Sequence, residues 1–207
     1  MSRKRFHVIG WAVVVVVVAG LGAYALRLQR VTELTSEYMI AAERAVHEGD
    51  LPAAETLYKR ALEVNSRFLP ARSGLADLYA SNGEGAKSLA EHRRGIEADP
   101  GNPEAYAVLA RALMGCERYG SAIERLKQGI RVAPRDTHMR LMLASCYRRA
   151  GDTEHAKAEL AAIERLDPGS RAVKNGRRAI ARNAMAAAAK ESREKGDRPT
   201  GEGEAAK

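Results

Sequence analysis

The chain has 207 residues, of which 45% are hydrophobic and only 5% aromatic, so that its core must be built mainly from alanine, leucine, isoleucine and valine, as in close helix packing. Two cysteines exclude a disulfide scaffold, and because the sequence has no CxxC, HxxxH or HExxH spacing, we expect no zinc site. The net charge of +8 is divided as +4 in residues 1–34, −1 in residues 35–169 and +5 in residues 170–207, which indicates basic ends rather than a nucleic-acid groove.

A membrane anchor is predicted near the N-terminus, after a basic segment at residues 1–7. Residues 8–26 contain no charge and include six consecutive valines at positions 13–18. As a helix, this run would be about 28 Å long, close to the ~30 Å core of a bilayer. Trp11 and Tyr24 lie near its two ends, where amphipathic rings favour the membrane interface.

A cleaved signal peptide is the alternative interpretation of this segment. Arg3, Lys4 and Arg5 would form its basic region, and residues 23–25 (Ala-Tyr-Ala) offer a cleavage site. The apolar run is longer than the roughly 7–15 residues of a signal peptide, which favours a retained anchor. The sequence leaves cleavage open.

Basic residues flank the predicted span on both sides. Three of them precede it, whereas Arg27 and Arg30 follow it, so the positive-inside rule favours a cytoplasmic N-terminus. The excess of arginine over lysine and the abundance of alanine are typical of a high-GC bacterial genome. We therefore expect a single-pass protein of a bacterial inner membrane, with most of the chain in the periplasm.

A helical stalk is predicted directly after the span, at residues 27–34. No glycine or proline occurs between Ala23 and Glu48, and apolar residues recur at helical spacing from Val31 to Ala45. This pattern predicts a helix that runs from the membrane into the next part of the chain.

A period of 34 residues organises the middle of the sequence. Each period is predicted to hold two helices. A residue at the left-handed C′ position ends the first helix, Asp50 and Asp152 are N-caps of second helices, and proline ends the second helix. The two clearest sets of equivalent positions are Gly49, Gly83, Glu117 and Gly151, and Ser66, Pro100, Pro134 and Pro168.

The repeated units resemble tetratricopeptide repeats. The match is carried most clearly by Leu109, Ala110, Leu113, Tyr119, Ala122, Leu126, Ile130 and Pro134 in one unit, and by Leu143, Ala144, Tyr147, Gly151, Ala156, Leu160 and Pro168 in the next. The resemblance implies an all-α fold, a right-handed α-solenoid of helix hairpins. The sequence departs from the family pattern at Ser66, Gly95, Glu117 and Gly129.

The resemblance also sets the expected division of the chain. Four repeat units are predicted at residues 35–68, 69–102, 103–136 and 137–168. A capping helix is predicted at residues 169–191 and a disordered tail at residues 192–207.

The predicted capping helix has two faces. Its apolar stripe contains Val173, Gly176, Ile180, Ala184 and Ala187. A second face contains Arg171, Lys174, Arg178 and Arg182. These basic residues are either an ordinary solvated face or a docking surface for an acidic partner or anionic lipid headgroups.

A concave groove lined by the first helices is the binding surface that the resemblance implies. The positions of the family's carboxylate clamp hold Met39, Glu43, Gly74, Glu104 and Val108, so a chaperone adaptor is not expected. Acids lie in the first two units and arginines in the last two, which is either ordinary surface charge or a means of placing the acidic end of a peptide near Arg111, Arg148 and Arg149. The predicted groove residues are Met39, Glu43, Asp77, Arg111, Met114, His138, Leu141, Ser145 and Arg148.

No catalytic, cofactor-binding or metal site is predicted. Glu43 and Asp77 form a pair of carboxylates, but nothing in the sequence marks a closed pocket around them. Cys116 and Cys146 are expected in adjacent first helices at different heights, which favours a buried or unreactive thiol over a disulfide.

The function predicted from these features is a non-enzymatic, membrane-tethered scaffold that recruits a protein or peptide, in bacterial envelope complex assembly or biogenesis. Tethering raises the local concentration of partners without new contacts. Two alternatives stay open: an N-anchored receptor with cytosolic repeats, and a substrate-recruiting subunit of an enzyme complex.

Overall fold

The computed structural model describes the backbone of residues 3–196, and the side chains of residues 16–186, 188 and 189. Residues 3–196 contain α-helices and no strand, which confirms the prediction of an all-α fold for this part of the chain. The helices are α1 (Arg3–Glu48), α2 (Leu51–Val64), α3 (Leu69–Ser81), α4 (Gly85–Ala98), α5 (Pro103–Gly115), α6 (Tyr119–Val132), α7 (Thr137–Arg149), α8 (Thr153–Leu166) and α9 (Arg171–Gly196).

The helices repeat with the 34-residue period of the sequence. The even-numbered helices α2, α4, α6 and α8 begin at Leu51, Gly85, Tyr119 and Thr153. The odd-numbered helices α3, α5, α7 and α9 begin at Leu69, Pro103, Thr137 and Arg171. Successive members of each set therefore begin 34 residues apart.

The turns inside the hairpins use a left-handed residue at the predicted position. Gly49, Gly83 and Gly151 have φ angles of +80°, +78° and +85°, and Glu117 occupies the equivalent place with a φ of +56°. Glycine adopts this conformation without a steric penalty, whereas a residue with a Cβ does so rarely. The turn thus keeps its geometry at Glu117 even though the residue is unfavourable there.

Both predicted aspartate caps are present. The carboxylate of Asp50 accepts a hydrogen bond from the Ala53 N–H at 3.0 Å, and that of Asp152 accepts one from the His155 N–H at 3.1 Å. Each satisfies a backbone donor that the first helical turn leaves without an intrahelical partner. The predicted helix ends are also confirmed, because α4, α6 and α8 end two residues before Pro100, Pro134 and Pro168.

The described residues divide into two compact units between Pro100 and Gly101. In the first unit, α1 packs on α2, α2 on α3, and α3 on α4. Its core combines alanines with a few large side chains, which allows the helices to approach closely. The buried cluster consists of Ala42, Ala45, Ala54, Tyr58, Ala61, Ala71, Leu75, Leu78 and Tyr79.

In the second unit, α5 to α8 pack in succession and α9 contacts both α7 and α8. The largest side chains that are fully buried there are aliphatic or sulfur-containing. They are Leu109, Leu126, Met139, Leu143, Cys146, Leu160, Ile163 and Val173. Val173 ties α9 into this core.

Two hairpins hold an arginine–glutamate ion pair that links their helices. Arg72 of α3 donates to Glu91 of α4 at 3.0 Å and to the Ser66 carbonyl at 2.8 Å. Arg140 of α7 donates to Glu159 of α8 at 3.0 Å and to the Pro134 carbonyl at 2.9 Å. Both arginines thus fasten the second helix and the preceding loop to the first helix.

The N-terminal helix α1 is continuous from Arg3 to Glu48. Large apolar side chains between residues 16 and 28 of this helix face solvent: Val16 is 70% exposed and Leu26 69%. Among the described residues, no helix combines the length and the apolarity that crossing a membrane requires. The predicted span at residues 8–26 begins with residues 8–15, whose side chains lie outside the described part of the chain.

The C-terminal helix α9 differs from the prediction in two respects. It continues to Gly196, five residues into the tail that was expected to be disordered, because residues 191–195 are all compatible with helix and glycine comes only at 196. Its packed stripe also ends earlier: Val173 and Ile180 are buried, but Ala184 is exposed. The Ala187 side chain and the rest of the predicted tail, residues 197–207, lie outside the described residues.

Candidate functional site

A solvent-open cleft of about 560 Å³ lies in the second unit, between α7 and α9. Leu141, Ala144, Ser145 and Arg148 line it from α7, and Leu160 of α8 contributes to its base. Its volume falls within the roughly 300–1,000 Å³ of ligand-binding clefts. The α9 residues that line it are Arg171, Ala172, Asn175, Gly176, Ala179, Ile180 and Arg182.

The base of the cleft depends on a close approach between α9 and α8. A Cβ atom at Gly176 would lie 2.7 Å from the Leu160 Cδ2 atom, which is shorter than any normal carbon contact. Glycine therefore lets the two helices meet here. Buried Val173 and Ile180 hold α9 in place on either side of this contact.

The charge of the cleft is entirely positive. Arg148, Arg171 and Arg182 line it, and no aspartate or glutamate does so. None of these three guanidinium groups has an ion pair or a hydrogen bond with another residue that the structure describes. The site therefore presents three hydrogen-bonding cations to whatever enters it.

The remaining lining is neutral. Leu141, Ala172 and Ala179 are half-buried and form an apolar floor, while Ser145 and Asn175 add a hydroxyl and an amide. The lining contains no carboxylate, imidazole or thiol, so Ser145 has no base within the cleft to activate it. The arrangement is suited to holding a ligand rather than to changing its covalent bonds.

The predicted groove residues of the second unit fall into two groups. Leu141, Ser145 and Arg148 line the cleft together, as expected for one face of α7. The other three do not line it: Met114 is half-buried in α5, and His138 is exposed at the start of α7. Arg111 is exposed on α5, with its guanidinium 3.8 Å from the Glu104 carboxylate.

The predicted groove residues of the first unit form an acidic site beside a tyrosine. Glu43 of α1 and Asp77 of α3 are both exposed, and both act on the phenol of Tyr58. Burial raises the pKa of Tyr58, and the two carboxylates raise it further. Met39 is half-buried and packs against the hydrophobic core.

The two cysteines are free, and their environments differ. Cys116 is exposed and Cys146 is buried. Burial raises the pKa of the Cys146 thiol to about 11, which keeps it protonated and unreactive at neutral pH. Within the described part of the chain, no group of three His, Cys, Asp or Glu side chains is arranged to hold a metal ion.

The family model described as tetratricopeptide repeat matches residues 45–112, 86–139 and 115–180. These matches together run from residue 45 to residue 180, well over half of the chain. The chain belongs to the tetratricopeptide repeat (TPR) family. No curated protein matches it at a significant level.

Solved structures with TPR folds are similar to the chain at low sequence identity. PilF of Pseudomonas aeruginosa has a TM-score of 0.59 at 18% identity, covering 75% of this chain and 71% of its own. MamA has 0.53 at 20%, covering 74% and 88%. YrrB, described as a TPR protein with an unusual peptide-binding site, has 0.51 at 22%, covering 71% and 76%.

The TPR period, applied once more, predicts which α9 residues line the cleft. Adding 34 to the predicted α7 groove positions 138, 141, 145 and 148 gives 172, 175, 179 and 182. All four of those α9 residues line the cleft: Ala172, Asn175, Ala179 and Arg182. The sequence analysis gave Arg171 and Arg182 as part of a basic face, one alternative for which was docking, but it did not place α9 beside α7 in a cleft.

Proposed function

We propose that this TPR protein is a non-enzymatic, membrane-tethered scaffold that holds a partner protein or peptide. The observation that carries the proposal is the cleft between α7 and α9, which is open, apolar at its floor and free of acid–base or nucleophilic pairs. Such a lining provides binding without catalysis.

A peptide is the favoured occupant. The neutral Ser145 and Asn175 side chains supply hydrogen-bond donors and acceptors for a peptide backbone. YrrB, which shares the fold, is described as having a peptide-binding site. Of the predicted groove residues, Leu141, Ser145 and Arg148 are proposed as direct contacts, with the acidic end of the partner toward Arg148.

The membrane tether is supported by the sequence and by the form of α1. Residues 8–26 are uncharged, and α1 is continuous from Arg3 into the hairpin that it forms with α2. Val16, Val17 and Val18 are 70%, 53% and 62% exposed, so none of them is needed for the core. Lipid would cover these side chains.

The proposed location is a bacterial inner membrane, with the TPR domain in the periplasm. The three basic residues before the span against two after it support this orientation. There the scaffold would collect the components of an envelope complex during its assembly.

Site-specific photocrosslinking in intact membranes tests the binding role. A photoreactive residue at Leu141 or Ser145 should capture a defined partner band, because both side chains line the cleft. The same residue at Lys157, which is exposed on α8 and outside the cleft, is the matched control. Equal capture at all three positions would contradict the proposal.

Alkaline carbonate extraction tests the tether separately. The full chain should stay with the vesicles, and deletion of residues 1–26 should release it. A C-terminal alkaline phosphatase fusion should be active if the TPR domain is periplasmic. Release of the full chain would contradict the tether, and an inactive fusion would contradict the orientation.

A further inference from the structure

We infer that the α7–α9 cleft binds an acidic peptide segment, whose carboxylates pair with Arg148, Arg171 and Arg182 while an apolar side chain of the peptide rests on Leu141 and Ala179. The inference rests on the proposed scaffold function and adds the chemistry of the partner.

The positive charge of the cleft extends to both of its walls. The thirteen residues of α7 include Arg140, Arg148 and Arg149 but no acid. In α9, residues 171–186 contain five basic residues and no acid. A ligand in the cleft therefore meets a field of one sign, which selects negative charge.

The acids of α8, which packs against both helices, are engaged elsewhere. Glu159 accepts a hydrogen bond from Arg140 at 3.0 Å. Glu164 accepts one from the Gly169 N–H at 3.0 Å and lies 3.7 Å from Arg177. Glu154 pairs with Lys157 at 2.8 Å. None of the three lines the cleft, so its arginines are left for an external carboxylate.

The shape and the neutral groups favour a peptide over a lipid headgroup. The arginines line an open cleft rather than a flat face. The Asn175 amide both donates and accepts, which matches the N–H and C=O of a peptide bond. The half-buried Leu141 and Ala179 supply an apolar contact directly beside the charges.

Selection from a random twelve-residue peptide library on phage, with the full chain in nanodiscs as bait, tests the inference. The selected peptides should be enriched in aspartate and glutamate next to a large apolar residue. The Arg148→Glu/Arg182→Glu variant should lose this enrichment. The control, Arg149→Glu/Lys174→Glu, makes the same charge change on the same helices and should reduce this enrichment much less, because neither side chain lines the cleft.

Affinity measurements then separate charge from shape. The best selected peptide should bind the cleft variant at least about tenfold more weakly, since each lost charge-assisted hydrogen bond accounts for about that factor. Ala179→Phe fills the floor without changing charge and should also weaken binding. Circular dichroism checks that each variant folds.

Three results would overturn the inference. One is selection of peptides without acidic enrichment, and another is equal loss of affinity in the control variant. The third is a cleft variant that no longer binds phosphatidylserine vesicles but still binds the peptide. This result would identify a lipid headgroup as the ligand. If the cleft variant still crosslinks its partner at Leu141 in membranes, the scaffold proposal survives and only the acidic chemistry fails.

Discussion

The α3–α4 and α7–α8 hairpins hold the same arginine–glutamate pair at the same place in the 34-residue period, but in different surroundings. The Arg72 and Glu91 side chains are 11% and 7% exposed, against 20% and 22% for Arg140 and Glu159. The geometry of the direct bond is identical, at 3.0 Å in both. The Glu91 carboxylate also pairs with Arg94, so the two motifs differ in solvent access and in this additional arginine.

A small residue helps to account for the deeper burial of Arg72. The place where a Cβ would be at Gly95 is 3.4 Å from the Arg72 Cδ atom, so that the arginine stem lies along α4. Ile163 occupies the equivalent position of α8 and is itself buried. A glycine at this position of the repeat thus leaves room for a charged side chain in the first unit.

The same arginine–glutamate pair is therefore expected to contribute differently to the stability of the two hairpins. A buried charge that loses its partner retains its full desolvation cost, whereas a partly exposed one regains some water. Substitution of each glutamate therefore tests this difference most directly.

The largest effect is expected from Glu91→Ala. Removal of this carboxylate leaves the Arg72 guanidinium buried without its ion partner and should destabilise the α3–α4 hairpin by about 3–5 kcal/mol. Hydrogen exchange of α3 and α4 peptides in the full chain measures the local free energy of opening.

The double variant Arg72→Met/Glu91→Leu is the control for this prediction. Because it replaces both charges by apolar groups of similar volume, it should cost far less than Glu91→Ala alone. Equal losses in the single and double variants would show that the cost comes from packing rather than from an unpaired charge.

A smaller effect is expected from Glu159→Ala. Arg140 keeps part of its hydration, so the α7–α8 hairpin should lose only about 1 kcal/mol. Exchange of α7 and α8 peptides gives the value. A loss as large as that of Glu91→Ala would mean that exposure does not control the strength of this motif.

The sequence predicted the period, the turns and the caps of the two hairpins, but not the ion pairs by which they are compared. The period, the left-handed turns and the caps each depend on one or two residues whose backbone preference is local, as Gly49 and Asp50 show. The ion pairs were missed because each arginine meets a glutamate 19 residues later, in a different helix. A period of 68 residues, which relates Arg72 to Arg140 and Glu91 to Glu159, was the available signal.

The sequence predicted the α7 side of the candidate site but not the α9 side, which depends on contacts between helices. Leu141, Ser145 and Arg148 follow from the position of the first helix within a repeat. The contribution of α9 depends on the contact of Gly176 with Leu160, and thus on tertiary packing. The extent of this contact could not be read from helical spacing, which wrongly placed Ala184 in the same packed stripe.

Thiol labelling of Cys146 measures the opening of the α7–α8 hairpin alone. Cys146 in α7 is buried, and its pKa of about 11 makes labelling at neutral pH dependent on local opening. In a Cys116→Ser background, Glu159→Ala should raise the maleimide labelling rate of Cys146 about fivefold, as expected for about 1 kcal/mol. Glu91→Ala should leave this rate unchanged, and an equal increase in both variants would show that the two hairpins open together.

The smallest effect concerns the caps, which also differ between the hairpins. Asp152 caps α8 through its side chain, whereas Glu84 at the start of α4 makes no such bond. The backbone N–H of His155 holds the pKa of Asp152 below its ordinary value of 3.8, and the His155 side chain lowers it further. Because the folded-state pKa is depressed, the stabilisation is present above the ordinary value and is lost as the pH falls through the folded value.

Asp152→Asn isolates this titration, since asparagine is also a good N-cap but carries no charge. The difference in Tm between the wild-type chain and this variant should shift against the wild type as the pH falls below 3.8 and Asp152 is protonated. A difference for Asp152→Asn that does not change with pH would mean that the carboxylate charge adds nothing to the α8 cap beyond its hydrogen bond.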